Sequence, residues 1–148
     1  MQVFIRLVLM IGLTVPVWAN AATEPDETPL FQAAGDLTLD QFLWVKRVLV
    51  VFADTPADSR FHKQMQALES LPDELLERDV VVITDTDPAA QSLLRTQLRP
   101  RGFMMVLVGK DGQIKLRKPQ PWDVREITRS IDKTPLRQQE IKERRAAQ

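Results

Sequence analysis

Three unbroken apolar runs constrain this chain more than any other feature: residues 48–53, 80–83 and 103–108. Short runs without a polar partner residue fit strands buried on both faces, and such strands need helices packed above and below the sheet. The first run stops at Asp54-Thr55-Pro56. Directly after it, Asp58-Ser59 is suited to cap a helix that places Phe61, Met65 and Leu68 at i, i+4, i+7 spacing. Pro72 breaks that pattern before a further helical turn and the second run. Two such strands joined by a helical crossover make a right-handed βαβ unit with parallel strands.

Asp87-Pro88 then reads as a cap and first helical residue, opening a helix with Ala90, Leu93, Leu94 and Leu98 on one face. After the third run, Gly109-Lys110-Asp111-Gly112 is a strong turn signal, and Ile114 and Leu116 alternate with polar residues beyond it. This predicts a hairpin whose second strand lies at the sheet edge. A last helix carries Val124, Ile127 and Ile131 inward and ends at Pro135. Upstream, Thr38 and Gln41 have capping-box spacing before a short helix whose Phe42, Leu43 and Trp44 are expected against the sheet edge. The fold class expected is α/β and thioredoxin-like: a four-stranded mixed sheet in strand order 2-1-3-4, flanked by helices. It should span residues 37–135, with a flexible lead over 22–36 and a charged, frayed tail over 136–148.

The first 21 residues are set apart. Arg6 precedes an apolar run from Leu7 to Val17, and Ala19-Asn20-Ala21 has the small-x-small form of a signal-peptidase site. The run is too short for a stable bilayer-spanning helix, so a signal peptide cleaved after Ala21 and a periplasmic or secreted protein are expected, with no transmembrane segment after cleavage. The chain has no cysteine. Disulfide staples, thiol–disulfide exchange and thiol peroxidase chemistry are therefore excluded. Charge is divided: residues 22–94 hold 5 basic and 14 acidic groups, residues 95–148 hold 14 basic and 6 acidic. Complementary faces within one fold account for this better than a basic binding tail.

The stretch V-L-V-V-F-A-D at 48–54 resembles the central strand of thioredoxins and peroxiredoxins, and G-K-D-G at 109–112 resembles their terminal hairpin. The C-x-x-C positions of thioredoxin fall on Ala57 and Arg60, and the cis-proline position falls near Met104. Thr55-Pro56-Ala57-Asp58 resembles the peroxiredoxin T-P-x-C with Asp58 in place of the cysteine. The resemblance implies the fold and neither chemistry. A closer similarity is to an uncharacterised secreted family, shared by bacterial exported proteins and the animal sushi-repeat, equarin and down-regulated-by-oncogenes extracellular proteins. Residues 39–44, 77–79, 106–117 and 131–140 carry it. That family typically ends in an I-D-x-M-P-M-R element, where this chain has Thr134 and Leu136 for the methionines. The similarity implies an extracytoplasmic thioredoxin-like domain without naming an activity.

Asp54, Asp58, Asp85 and Asp87 all follow the carboxyl ends of two parallel strands, and with Thr55 they form the candidate site. Gathered carboxylates can hold Ca²⁺ or Mg²⁺ or serve a cysteine-independent enzyme. The simpler reading makes Asp58 and Asp87 helix caps and the rest solvated turn residues. His62, the one histidine, has no nameable orienting partner and is expected to face water. Lys110, Lys115, Arg117, Lys118, Arg99 and Arg101 gather near the hairpin with no interleaved aromatic residue, which argues against nucleic acid and for solvated edge-strand charges. Arg137 and Glu140 have the spacing of a helical ion pair. The expectation is a binding module for a protein or envelope ligand, with no cofactor and no catalytic residue assigned.

Overall fold

The computed structural model describes residues 28–148. Its centre is β2, Arg47–Phe52, in which every residue is buried. Parallel pairing joins β2 to β3, Val80–Asp85, and antiparallel pairing joins it to β4, Met104–Val108. The hairpin strand β5, Ile114–Lys118, pairs with β4 through an irregularity at Leu107/Val108. Alternation along β2 divides the core. Val48, Val50 and Phe52 meet Val81, Ile83, Leu94 and Leu98 on one face, while Leu49 and Val51 meet Leu68, Leu75, Ile127 and Ile131 on the other. The second face is covered by α1 (Ser59–Ser70), α2 (Pro72–Leu76) and α4 (Val124–Asp132); the first is covered by α3 (Leu93–Leu98) and a 3-10 turn at Leu39–Phe42. Each fully buried aliphatic side chain, on the strands and on the helices that cover them, contributes about 1.5–3 kcal/mol relative to exposure.

Several expectations need correction. The sheet has five strands, not four: an added first strand, β1 (Phe31–Ala33), flanks the expected series and makes the full order β1-β3-β2-β4-β5. The added strand lies within the segment expected to be flexible and pairs parallel with β3. Three residues are too short to show a period, and only the open edge of β3 supplies their partner. The helix expected from Asp87 onward is broken: Pro88–Ala90 is a 3-10 turn, Gln91 takes φ +47°, and Ser92 caps α3 anew. Ala90 and Leu93 are consequently exposed, and only Leu94 and Leu98 face the core. The helix carrying Val124, Ile127 and Ile131 stops before Pro135 as expected, but Pro135 then starts another, α5, Pro135–Ala146, which takes up most of the tail expected to fray. Trp44 does not pack on the sheet; it is 68 % exposed. The signal-peptide expectation falls on residues 1–21, outside the described residues. Among the described residues no helix is long and apolar enough to cross a membrane.

Candidate functional site

The five nominated residues lie where the carboxyl ends of β2 and β3 meet the loops that follow. Asp58 caps α1, accepting from Arg60 N at 2.8 Å, and Arg60 folds its guanidinium back onto both carboxylate oxygens at 3.2 and 2.8 Å. That guanidinium holds the Asp58 carboxyl below the usual carboxylate range. Thr55 Oγ1 accepts from Ala57 N at 3.3 Å, which shapes the turn before the helix. Asp87 accepts from Ala89 N at 3.1 Å. Asp85 is buried: Ser92 Oγ donates to Oδ2 at 2.5 Å, and Arg95 donates to Oδ1 through Nη2 at 2.9 Å and Nε at 3.2 Å. Burial alone would raise this carboxyl, but the hydrogen bonds from Arg95 and Ser92 outweigh it and hold it below the ordinary range. Asp54 is largely exposed and approaches Arg95 Nη1 at 3.9 Å.

Arg95, not a vacant cation position, is therefore what joins Asp85 to Asp54. Its guanidinium also lies over the Phe52 ring at 5.3 Å and donates to Ala53 O at 3.0 Å. Asp58 and Asp87 are engaged as helix caps. Among the described residues, no group of three or more His, Cys, Asp or Glu side chains is placed to hold a metal ion. His62 is exposed on α1. The basic cluster divides: Lys110 and Lys115 are ion-paired at one end of the hairpin, while Arg117 donates to Leu98 O at 2.7 Å and Lys118 lies over the Trp122 ring.

The opposite edge of the sheet, where β2 and β3 begin and β4 ends, holds an arrangement of which sequence reasoning found only the Arg137–Glu140 pair. Arg47 is 3 % and Arg137 1 % exposed. Glu140 on α5 sits among three cations: Arg47 Nη2 at 3.2 Å, Lys110 Nζ at 2.9 Å and Arg137 Nη1 at 3.4 Å. Arg137 also reaches Glu77 at 3.1 Å and Asp132 at 3.4 Å, and Arg78 clamps Asp132 through two bonds of 2.9 Å. Lys110 pairs with Asp79 at 2.8 Å. Burial pushes Glu140 and Asp132 upward, but the facing cations prevail and both are held below their ordinary values. In this network Lys110–Asp79 and Arg137–Glu77 join a base of residues 95–148 to an acid of residues 22–94, while Arg47–Glu140 and Arg78–Asp132 run the other way, so the charge division along the chain does not account for it. The network attaches α5, whose one fully buried side chain is Arg137, to the body of the domain. Such pairs contribute less net stability than apolar packing of equal volume, but they fix one geometry.

Next to this network is a groove of about 330 Å³. Trp44, Leu107, Ile131, Pro135 and Leu136 supply its apolar walls, and Arg47, Lys110, Lys115 and Asp111 its charged ones. Trp44 stands at φ +61°, a conformation costly for a bulky residue, and its N–H donates to Lys110 O at 2.7 Å. Leu43 anchors the same stretch: a Cβ at Gly112, itself at φ +75°, would lie 2.7 Å from Leu43 Cδ2. The signal available in the sequence was the four segments that carry the family similarity. They contribute Trp44, Glu77 to Asp79, Leu107 to Lys115, and Ile131 to Glu140, and the fold gathers them at this one edge.

Residues 38–140 match the family described as Domain of unknown function (DUF4174). No curated protein matches. Among solved structures the chain is similar to the reduced 2-Cys peroxiredoxin of Plasmodium vivax, with TM-score 0.53 and 18% identity over 65% of this chain and 81% of that one. It is similar to chloroplastic thioredoxin z, with TM-score 0.54 and 20% identity over 72% and 98%. It is also similar to the pneumococcal exposed lipoprotein thioredoxin Etrx1 of Streptococcus pneumoniae, with TM-score 0.50 and 16% identity over 65% and 90%. At these identities the likeness shows the thioredoxin-like fold, and the absence of cysteine separates this chain from thiol chemistry.

Proposed function

We propose that this chain, which belongs to the DUF4174 family, is an exported, non-redox binding module that engages a protein or envelope component through the groove beside Trp44. One observation carries the reading. A tryptophan at 68 % exposure and φ +61° walls an apolar groove. A chain selected for stability alone would place glycine or asparagine in that backbone conformation and would not expose an indole there. At the carboxyl ends of β2 and β3, Asp58 is engaged by Arg60, Asp85 by Arg95 and Asp87 by a backbone N–H, while Asp54 stays largely exposed, so the groove beside Trp44 is the better-formed candidate. Export rests on Arg6, the apolar run after it and Ala19-Asn20-Ala21.

Two measurements test this reading. Mass spectrometry of the protein from its host should find Ala22 at the N-terminus; an intact Met1 in the cytoplasmic fraction would refute export. Immobilised wild-type protein and the Trp44→Ala variant, matched for melting temperature, should be presented with envelope extract. A partner retained by the wild type and lost by the variant supports the groove. Identical retention by both refutes it.

A further inference from the structure

The two outer strands of the sheet are not defended alike. β5 carries Lys115, Arg117 and Lys118, charges that discourage a further strand from pairing there. The other outer strand is β1, and the stretch from Leu30 to Ala34 has no charge, no proline and no glycine; Pro29 and Gly35 bound it. Its pairing with β3 runs beyond the three strand residues, since Val82 N donates to Leu30 O at 2.7 Å and Ala34 N donates to Thr84 O at 2.9 Å. In a parallel ladder alternate residues bond the same neighbour. Leu30, Gln32 and Ala34 therefore turn their backbone groups to β3. The N–H and C=O of Phe31 and Ala33 point away from the sheet, with no partner among the described residues.

Two further observations lie on the same strip. Gln32 Nε2 is sealed from solvent without an acceptor, the one side-chain nitrogen or oxygen so placed among the described residues. Beside β1, an open cleft of about 650 Å³ separates the strand from α1, whose wall carries Phe61 and Met65 and the exposed His62 and Glu69. Backbone donors and acceptors at two-residue spacing call for an extended strand and not for a small molecule.

This strip is also complementary to itself. Laid antiparallel against a second copy about a dyad through Gln32, Phe31 faces the counterpart of Ala33 and Ala33 the counterpart of Phe31, and each pair exchanges both its N–H···O bonds. The same pairing sets a large side chain beside a small one on the α1 face. Gln32 meets its own counterpart in the intervening pair, where side chains stand closest; turned outward, each carboxamide offers the other an acceptor. α1 leads from the end of β2 back toward the start of β3 and so runs against β1. His62 thus lies toward the Ala33 end of the cleft and Glu69 toward the Phe31 end. The dyad brings each imidazole to the level of the other copy's Glu69 carboxylate.

We propose that a second copy of this chain pairs antiparallel with β1, so that one sheet runs through both molecules with Gln32 on the dyad. The inference is independent of the binding-module reading. The groove beside Trp44 shares no lining residue with this cleft and stays open in the pair.

The experiment is sedimentation equilibrium of the purified chain from about 1 μM to about 1 mM, with amide hydrogen exchange read from ¹⁵N–¹H spectra at both ends of the range. A monomer–dimer equilibrium is expected, with exchange at Phe31 and Ala33 slowing as the dimer fills. Ala33→Pro removes one outward donor and no bond to β3; it should raise the dissociation constant at least about tenfold. His62→Glu sets acid against Glu69 at two symmetric places and should weaken the dimer about three- to tenfold, while His62→Glu combined with Glu69→Lys should restore it. Both positions are exposed on α1, so the fold is kept. A wild type that stays monomeric at about 1 mM overturns the proposal. If Phe31 and Ala33 are nonetheless protected in that monomer, the strip is covered by residues 22–27 or by another polypeptide, and the second copy is equally refuted. A dimer that Ala33→Pro leaves intact has its interface elsewhere and overturns the proposal too. Should Ala33→Pro fail to fold, the charge exchange decides: a dimer indifferent to His62→Glu, or not regained in the double variant, refutes pairing at β1.

Discussion

Glu140→Gln removes the one carboxylate that faces Arg47, Lys110 and Arg137 together. The cost follows from what each cation keeps. Lys110 retains Asp79, and Arg137 retains Glu77 and Asp132. Arg47, 3 % exposed, retains only the carbonyl of Arg78. One buried guanidinium is therefore left without a counter-charge. Removing one partner of a buried ion pair costs about 3–5 kcal/mol. Glu140 is 18 % exposed and water can partly replace it, so a cost at or just below the bottom of that range, about 2–3 kcal/mol, is expected here. That is a large part of the roughly 5–15 kcal/mol that holds a domain folded. Arg47→Met removes the stranded charge, so in the double variant the two losses should fall short of their sum by at least about 1 kcal/mol. Urea unfolding of the four proteins at neutral pH measures this. The pH dependence has a definite sign: Glu140 is depressed below its ordinary 4.5, so its contribution is complete above that pH and is lost as the pH falls through the lower folded value. Wild type and Glu140→Gln should therefore converge only in acid below 4.5. A loss under about 0.5 kcal/mol at neutral pH, or strictly additive losses, would refute the view that this carboxylate holds α5 to the sheet.

Val50→Asp places a carboxylate in a position of 0% exposure at the middle of β2 and should cost several kcal/mol, leaving little soluble folded protein; a near-normal melting temperature would show that β2 is not central. Trp44→Gly relieves the left-handed backbone and should raise stability by about 0.5–1 kcal/mol while abolishing partner retention, so a destabilised variant would mean that the indole serves packing. Asp58→Ala should lower the melting temperature and Asp58→Ser should recover most of the loss, with Ca²⁺ and Mg²⁺ without effect on wild type or variants. A cation-dependent gain in the wild type that the serine variant lacks would restore a metal role for that edge.

What the sequence determines by itself is whatever depends on neighbours along the chain. Residues 48–53, 80–83 and 103–108 are apolar without interruption and have no stable place except inside a sheet. Asp58 lies one residue before its helix and Asp123 one residue before another, so their capping is local. The absence of cysteine needs no fold at all to exclude thiol chemistry. The tertiary structure decided whatever depends on partners remote in the chain. Phe31–Ala33 becomes a strand because β3 leaves an edge open beside it, and no pattern within three residues can announce that. Asp54 and Asp85 look like a carboxylate cluster until Arg95, 10 residues beyond Asp85, is placed between them. Arg47 and Glu140, 93 residues apart, are ordinary surface charges as letters, and Arg47 can be buried only because Glu140 and the carbonyl of Arg78 meet its guanidinium. The groove has the same origin: Trp44, Lys110 and Leu136 belong to three separate segments, brought to one edge because β2 begins where β4 ends and α5 is pinned across both.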